Sequence, residues 1–200
     1  MAERTVHPDL PDPQSIQSKG FTLRGAMGFV EAEYGPGSME KVLARVEPDL
    51  RKALSGLILP SAWYPFRYQV ELYEAIDRAL GRGDFALCRK IGRYTAEKEA
   101  STFHKVLIKL ASLKSWLKIA SSMWGMYYNA GALKVEEMGD AGGTLSVSAF
   151  HPLSRAFCED LCGWFQKTAE MSGKKGVTVT HTKCLLDGAP ACLYHASWKE

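Results

Sequence analysis

The sequence predicts an α+β fold: an N-terminal helical half, then β-β-α-β-β, with the strands forming an antiparallel sheet packed against helices. Two observations carry this. The apolar period changes near residue 130 from helical spacing to strict alternation, since ALKVEEM and GTLSVSAF alternate apolar and polar side chains. Turn chemistry then falls between the alternating runs, at Gly139-Asp140-Ala141-Gly142-Gly143 and at Asp187-Gly188-Ala189-Pro190. A hairpin buries one side only, so two hairpins and a helix pack as a sheet covered on one face.

Taken in order, residues 1–20 are polar and proline-rich and are expected to form a flexible tail. Residues 21–200 are expected to form a single ligand-binding type of domain, helical over 21–129 and sheet-forming over 130–200. FTLRGAMGFVEAEYG reads as a short helix or strand, broken by Gly35-Pro36-Gly37. Ser38 is placed to cap one helix through MEKVLARVEPDLRKAL. LILPSAWYPF reads as a loop, and RYQVELYEAIDRAL as a helix with Leu72, Tyr73, Ile76 and Leu80 on one face and Gly81 at its end. Asp84 can cap the helix that follows, and SLKSWLKIASSMWGMYYN continues the helical period. After the first hairpin, LSRAFCEDLCGWFQKTAEM repeats Leu153, Phe157, Leu161 and Phe165 as an apolar stripe. The second hairpin closes the chain.

Composition excludes several classes. A formal charge of +3, with basic and acidic residues interleaved, gives no nucleic-acid footprint. No run of 18 apolar residues exists, and the N-terminus has no apolar signal core, so a cytoplasmic chain without a membrane span is expected. Five cysteines, an odd number, argue against a disulfide framework. No nucleophile elbow, P-loop, dinucleotide fingerprint or H-E-x-x-H is present, and no enzymatic activity is expected. Glu136-Glu137 and Glu159-Asp160 read as solvated pairs.

Cys88 stands alone, and the other four cysteines are concentrated in the last quarter. Cys158 and Cys162 share a helix face. Cys184 and Cys192 stand eight residues apart on the arms of the last hairpin, with His181 three residues before Cys184. Thiolates with one imidazole suit a tetrahedral zinc site, while well-packed structural thiols give the same pattern without a metal. Trp116, Trp124, Tyr127, Tyr128 and Trp164 are expected to line the space between helices and sheet, either as core or as the wall of a pocket.

The segment CEDLCGWFQKTAEMSGKKGVTVTHTKCLLDGAPACLY resembles the C-terminal end of the 4-vinyl reductase domain family, which includes the sensor domains of aromatic-responsive bacterial transcription activators. The resemblance covers residues 130–198. It implies zinc held by Cys158, Cys184 and Cys192, with His181 where the family usually has glutamate; Cys162 is extra and could compete. Four protein ligands leave no open position, so the implied zinc is structural. The helical half is similar to the wider superfamily of haem nitric-oxide/oxygen-binding domains and transport-particle subunits, and to small stand-alone proteins of myxobacterial type. Haem is set aside, because ASLKSWLKIASSMW has no histidine where the haem members place theirs, and His104 lies one segment too early. The resemblance implies a cytosolic sensory domain that binds a small hydrophobic molecule and acts through a protein partner or as a homodimer. The alternatives are a non-catalytic structural adaptor and a tetrapyrrole-related enzyme accessory.

Overall fold

A computed structural model describes residues 10–99, 121 and 124–199. The chain enters through a short strand, β1 (Gln17–Lys19), which pairs antiparallel with β2 (Trp63–Pro65). This corrects the boundary of the expected tail. Ile16 is 1% exposed and Ser18 is buried, so residues 16–20 belong to the packed fold despite their polar neighbours. Asn129 also holds this arm: its side chain accepts from Gln17 N at 2.7 Å and donates to Ser15 O at 3.0 Å.

The helical half contains α1 (Gly20–Tyr34), α2 (Ser38–Leu43), α3 (Pro48–Leu54), α4 (Phe66–Leu80) and α5 (Ala86–Glu99). The single helix expected from Ser38 onward is two. Proline has no N–H to give and forces the residue before it out of helical geometry. Glu47 is accordingly extended (φ −60°, ψ 154°), and Pro48 opens α3 at its first position. Leu23, Phe29, Leu50, Leu72, Ile76 and Ile91 form the core among these helices.

The second half is β3 (Ala132–Met138), β4 (Gly142–Ser148), α6 (Arg155–Met171), β5 (Lys175–Lys183) and β6 (Ala191–Lys199). All four strands pair antiparallel in the order β3-β4-β6-β5, so β4 and β6 join the two expected hairpins into one sheet. Alternation sends Leu145, Val147, Val179, Cys192 and Tyr194 to the covered face. Ser154 caps α6, its hydroxyl oxygen accepting from Ala156 N at 3.2 Å. The apolar stripe of α6 then meets the sheet through Phe157, Leu161 and Phe165. Phe66 joins the halves: its ring lies 4.9 Å from those of Phe150 and Phe157 and 5.8 Å from that of Tyr128, in edge-on contacts. Among the described residues no helix is long and apolar enough to cross a membrane.

Candidate metal cluster and adjoining cavity

The last hairpin turns through a 3-10 segment at Leu185–Asp187, closed by Gly188 in the left-handed region (φ 81°). Cys184 immediately precedes this turn, and Cys192 sits on β6 opposite Val147. The turn is drawn onto the start of α6 by an ion pair between Arg155 and Asp187. Cys158, in the first turn of α6, therefore meets the hairpin tip. The ligand atoms of Cys158, His181, Cys184 and Cys192 all lie within 4.8 Å of one another. Cys162 is also buried but is not one of the four.

The sulfur of Cys184 stands 4.0 Å from that of Cys158 and 3.8 Å from that of Cys192. A disulfide needs about 2.05 Å, whereas a tetrahedral ion with metal–sulfur bonds of about 2.3 Å has sulfur–sulfur edges of about 3.8 Å. Cys158 and then Cys192 turn their S–H groups toward Cys184, which holds the Cys184 thiol well below its usual range; the same contact pushes the Cys158 thiol up. The His181 Nε2 is buried and has no hydrogen-bond partner. The His181 ring is held by stacking on Tyr194, centroid to centroid 4.8 Å at 14°. Three sulfurs and an orphaned imidazole nitrogen converging on one point fit a soft or borderline divalent ion.

A separate cavity of about 50 Å³ lies between the helical half and α6. Of the aromatic residues singled out in the sequence, Trp124, Tyr127, Tyr128 and Trp164 line it. Trp116 falls outside the described residues. Sequence reasoning missed the polar part of the wall: Thr22, Gln69, Thr95 and Asp160. The expected solvated pair on α6 is split. Glu159 faces outward to Arg89, at 2.8 Å, and Asp160 is 5% exposed and lines the cavity. Successive helical residues differ by about 100° in direction, which is why one acid can be wet and the next dry. Gln69 is 0% exposed, and its Oε1 has no hydrogen-bond partner. A buried acceptor left in that state costs about 1–3 kcal/mol. A sequence signal for it existed, since Gln69 precedes Tyr73 and Ile76 at helical spacing on the buried stripe of α4.

No protein-family model matches the chain, and no curated protein matches it. Solved structures do. The chain is similar to an H-NOX protein from S. oneidensis in the Fe(II)NO ligation state, with TM-score 0.68 and 15% identity over 91% of this chain and 99% of that one. It is also similar to the SO2144 H-NOX domain of Shewanella oneidensis in the Fe(II)CO state (TM-score 0.67, 16% identity, 91% and 99% covered). A third is the unliganded Fe(II) H-NOX protein from K. algicida (TM-score 0.66, 14% identity, 91% and 97% covered).

These neighbours correct the cofactor expectation, which named structural zinc and set haem aside. The fold is shared with domains determined in Fe(II) states, so the architecture gives no ground for setting haem aside, and the four-residue cluster is a donor set that could hold a metal ion, with no ion assigned to it. Among its described residues the cavity wall presents no imidazole, thiolate or thioether, and the side chains in it of a kind that can ligate haem iron are the phenols of Tyr73, Tyr127 and Tyr128. His104 lies outside the described residues. At this level of identity the likeness is one of architecture: the chain has the fold of H-NOX domains.

Proposed function

We propose that this chain is a cytoplasmic sensory domain that binds a small molecule of largely apolar body, with a metal ion stapling its last hairpin to α6. The domain is one ligand-binding unit that takes in the packed arm from residue 16 onward, and it signals through a protein partner or by self-association. The ligand site is the aromatic cavity, with Trp124, Tyr127, Tyr128 and Trp164 as its walls. The staple is Cys158, His181, Cys184 and Cys192, a donor set suited to an ion of the kind zinc exemplifies. Within the H-NOX-like fold, the cysteine pattern favours the 4-vinyl reductase type of sensor.

One observation carries this reading. α6 contributes Cys158 to the cluster and, from its next two turns, Asp160, Leu161, Trp164 and Phe165 to the cavity. A rigid helix shared by both sites lets an occupant of the cavity bias the hairpin that the staple holds. A bound ligand stabilises the folded state by RT ln(1 + [L]/Kd). Thermal unfolding against a broad panel of small apolar compounds is expected to raise Tm for at least one class. A panel that never moves Tm overturns the sensor reading.

A second reading, a structural adaptor, has one observation in its favour. The loop before and into β2 exposes Leu57 (82%), Leu59 (51%) and Trp63 (39%). The same panel separates the two, since an adaptor has no ligand to find.

A further inference from the structure

The loop between α3 and β2 turns apolar side chains outward on a frame that is already hydrogen-bonded. Leu57 and Leu59 are exposed on either side of Ile58, which is buried in the helical core, and Trp63 is exposed at the start of β2. Four successive carbonyls at the tip accept hydrogen bonds from within the chain. Leu59 O accepts from Ala62 N at 3.2 Å, Pro60 O from Phe21 N at 3.0 Å, Ser61 O from Lys19 Nζ at 2.8 Å and Ala62 O from Gly20 N at 2.9 Å. Leu59 N donates to the phenol oxygen of Tyr64 at 3.0 Å, and Pro60 has no N–H to place. The rim of this tip is basic. From Leu50 to Phe66 the sequence has no acid. Arg51 and Lys52 stand exposed on the last turn of α3, and the Lys19 ammonium lies 3.8 Å from the centroid of the Trp63 ring. Asp49 is taken by Arg67, and none of Lys19, Arg51 and Lys52 has a carboxylate partner among the described residues.

We infer that this tip docks on the surface of an anionic phospholipid bilayer, with Leu57, Leu59 and Trp63 entering the headgroup boundary and Lys19, Arg51 and Lys52 meeting the lipid phosphates. Hydrocarbon supplies no hydrogen bonds, so a segment that enters it must bring its backbone groups already paired, and the carbonyls of residues 59–62 are paired. A protein partner makes no such demand. Tryptophan and leucine suit the boundary, while lysine and arginine lay their stems along apolar surface and keep their charges at the phosphates. A second copy of the chain fits worse, because a two-fold contact through the tip sets one basic rim against the other. Among the described residues no helix crosses a membrane, so the attachment formed by this tip is peripheral.

The experiment is co-sedimentation of the full chain with sucrose-loaded vesicles, made either of phosphatidylcholine alone or of equal parts phosphatidylcholine and phosphatidylglycerol. The expected result is binding to the mixed vesicles at least tenfold stronger than to phosphatidylcholine alone, and weakened by raised salt. Leu57→Ser with Leu59→Ser is expected to weaken that binding at least tenfold. Lys52→Gln is expected to weaken it about fivefold and to flatten its salt dependence. Tyr34→Ser, at the far end of α1 from Gly20, is expected to leave it unchanged. A leucine double variant that binds as the wild type does overturns the inference, since another surface then carries the lipid. Equal binding to both kinds of vesicle overturns the anionic partner. Binding to neither overturns the inference as well: a dimer in sedimentation velocity that the leucine variant disperses would make the tip an interface between copies, and a monomer would leave it to a protein partner. Should the double variant fail to fold by circular dichroism, Lys52→Gln on its exposed helical turn decides whether the tip carries the binding.

Discussion

Gly92 on α5 and Gly163 on α6 face each other backbone to backbone. A Cβ on Gly92 would stand 1.9 Å from Asp160 O, and a Cβ on Gly163 would stand 1.9 Å from Arg89 O. The obstacle in both cases is main chain, which cannot swing aside as a side chain does. This crossing brings Thr95 of α5 and Asp160 of α6 to the same cavity. Two ion pairs flank it, Arg89 with Glu159 and Arg93 with Glu170, each at 2.8 Å.

Gly163→Ala therefore has to push the two helices apart. Overpacking a core with one methyl costs about 1–3 kcal/mol, and the upper end is expected where backbone must move. The unfolding free energy from urea titration is expected to fall by about 3 kcal/mol, and Gly92→Ala is expected to behave alike. The double variant is expected to cost less than the sum, because helices already separated by the first methyl make room for the second. Strict additivity would mean that the two glycines do not share one contact.

The hairpin cysteines yield a second prediction. If an ion joins Cys158, His181, Cys184 and Cys192, protein purified without chelator carries about one metal per chain by elemental analysis. Cys184→Ser with Cys192→Ser is expected to lose it and to lose thermal stability with it, since binding to the folded state alone is folding free energy. Cys162→Ser is expected to keep the metal, as its sulfur is not among the four that converge. Metal retained in the double variant would place the ion elsewhere.

The sequence made the cluster legible and the cavity only in part, for a physical reason. Cys184 and Cys192 are tied by local turn chemistry, and Cys158 lies on the one helix between the hairpins, so a short stretch of chain contains the whole set. The acceptors of the cavity come instead from Thr22, Gln69, Thr95 and Asp160, on four different helices. Their meeting depends on the Gly92–Gly163 crossing, which no periodicity encodes. The division of one expected helix into α2 and α3 was legible at Pro48, where the proline rule outweighs an unbroken apolar stripe. The packing of Ile16 and β1 depends on a partner strand some 45 residues away, and local composition points the other way.

Asp77 gives a third prediction. It is 0% exposed, and its carboxylate accepts from Phe85 N at 2.8 Å and Leu87 N at 3.0 Å, closing the start of α5 from the body of α4. Phe85 holds φ 64° there, a conformation that needs support. Asp77→Ala removes both acceptors and leaves one buried and one half-buried N–H without them, at a cost on the order of 2 kcal/mol. Hydrogen exchange is expected to rise first in residues 85–90. An unchanged exchange pattern would mean that the helix start does not depend on this cap.

The last prediction is alkaline. Burial pushes the Cys162 thiol from 9.0 up to about 12. The folded state therefore keeps a proton that the unfolded state releases between those values. Stability changes with pH as the difference in bound protons, unfolded minus folded, and that difference is negative here. The contribution is intact below pH 9 and is lost as pH rises toward 12. The urea midpoint is expected to decline over that interval. Tyr194, whose phenol is also pushed up by burial, adds to the decline and remains in a Cys162→Ala variant. That variant is expected to start from a lower midpoint, because a small cavity replaces the sulfur, but to fall less steeply from pH 9 onward. The slope isolates the thiol where the midpoint alone cannot, so parallel curves for wild type and variant would show that Cys162 ionises as readily in the folded chain as in the unfolded one.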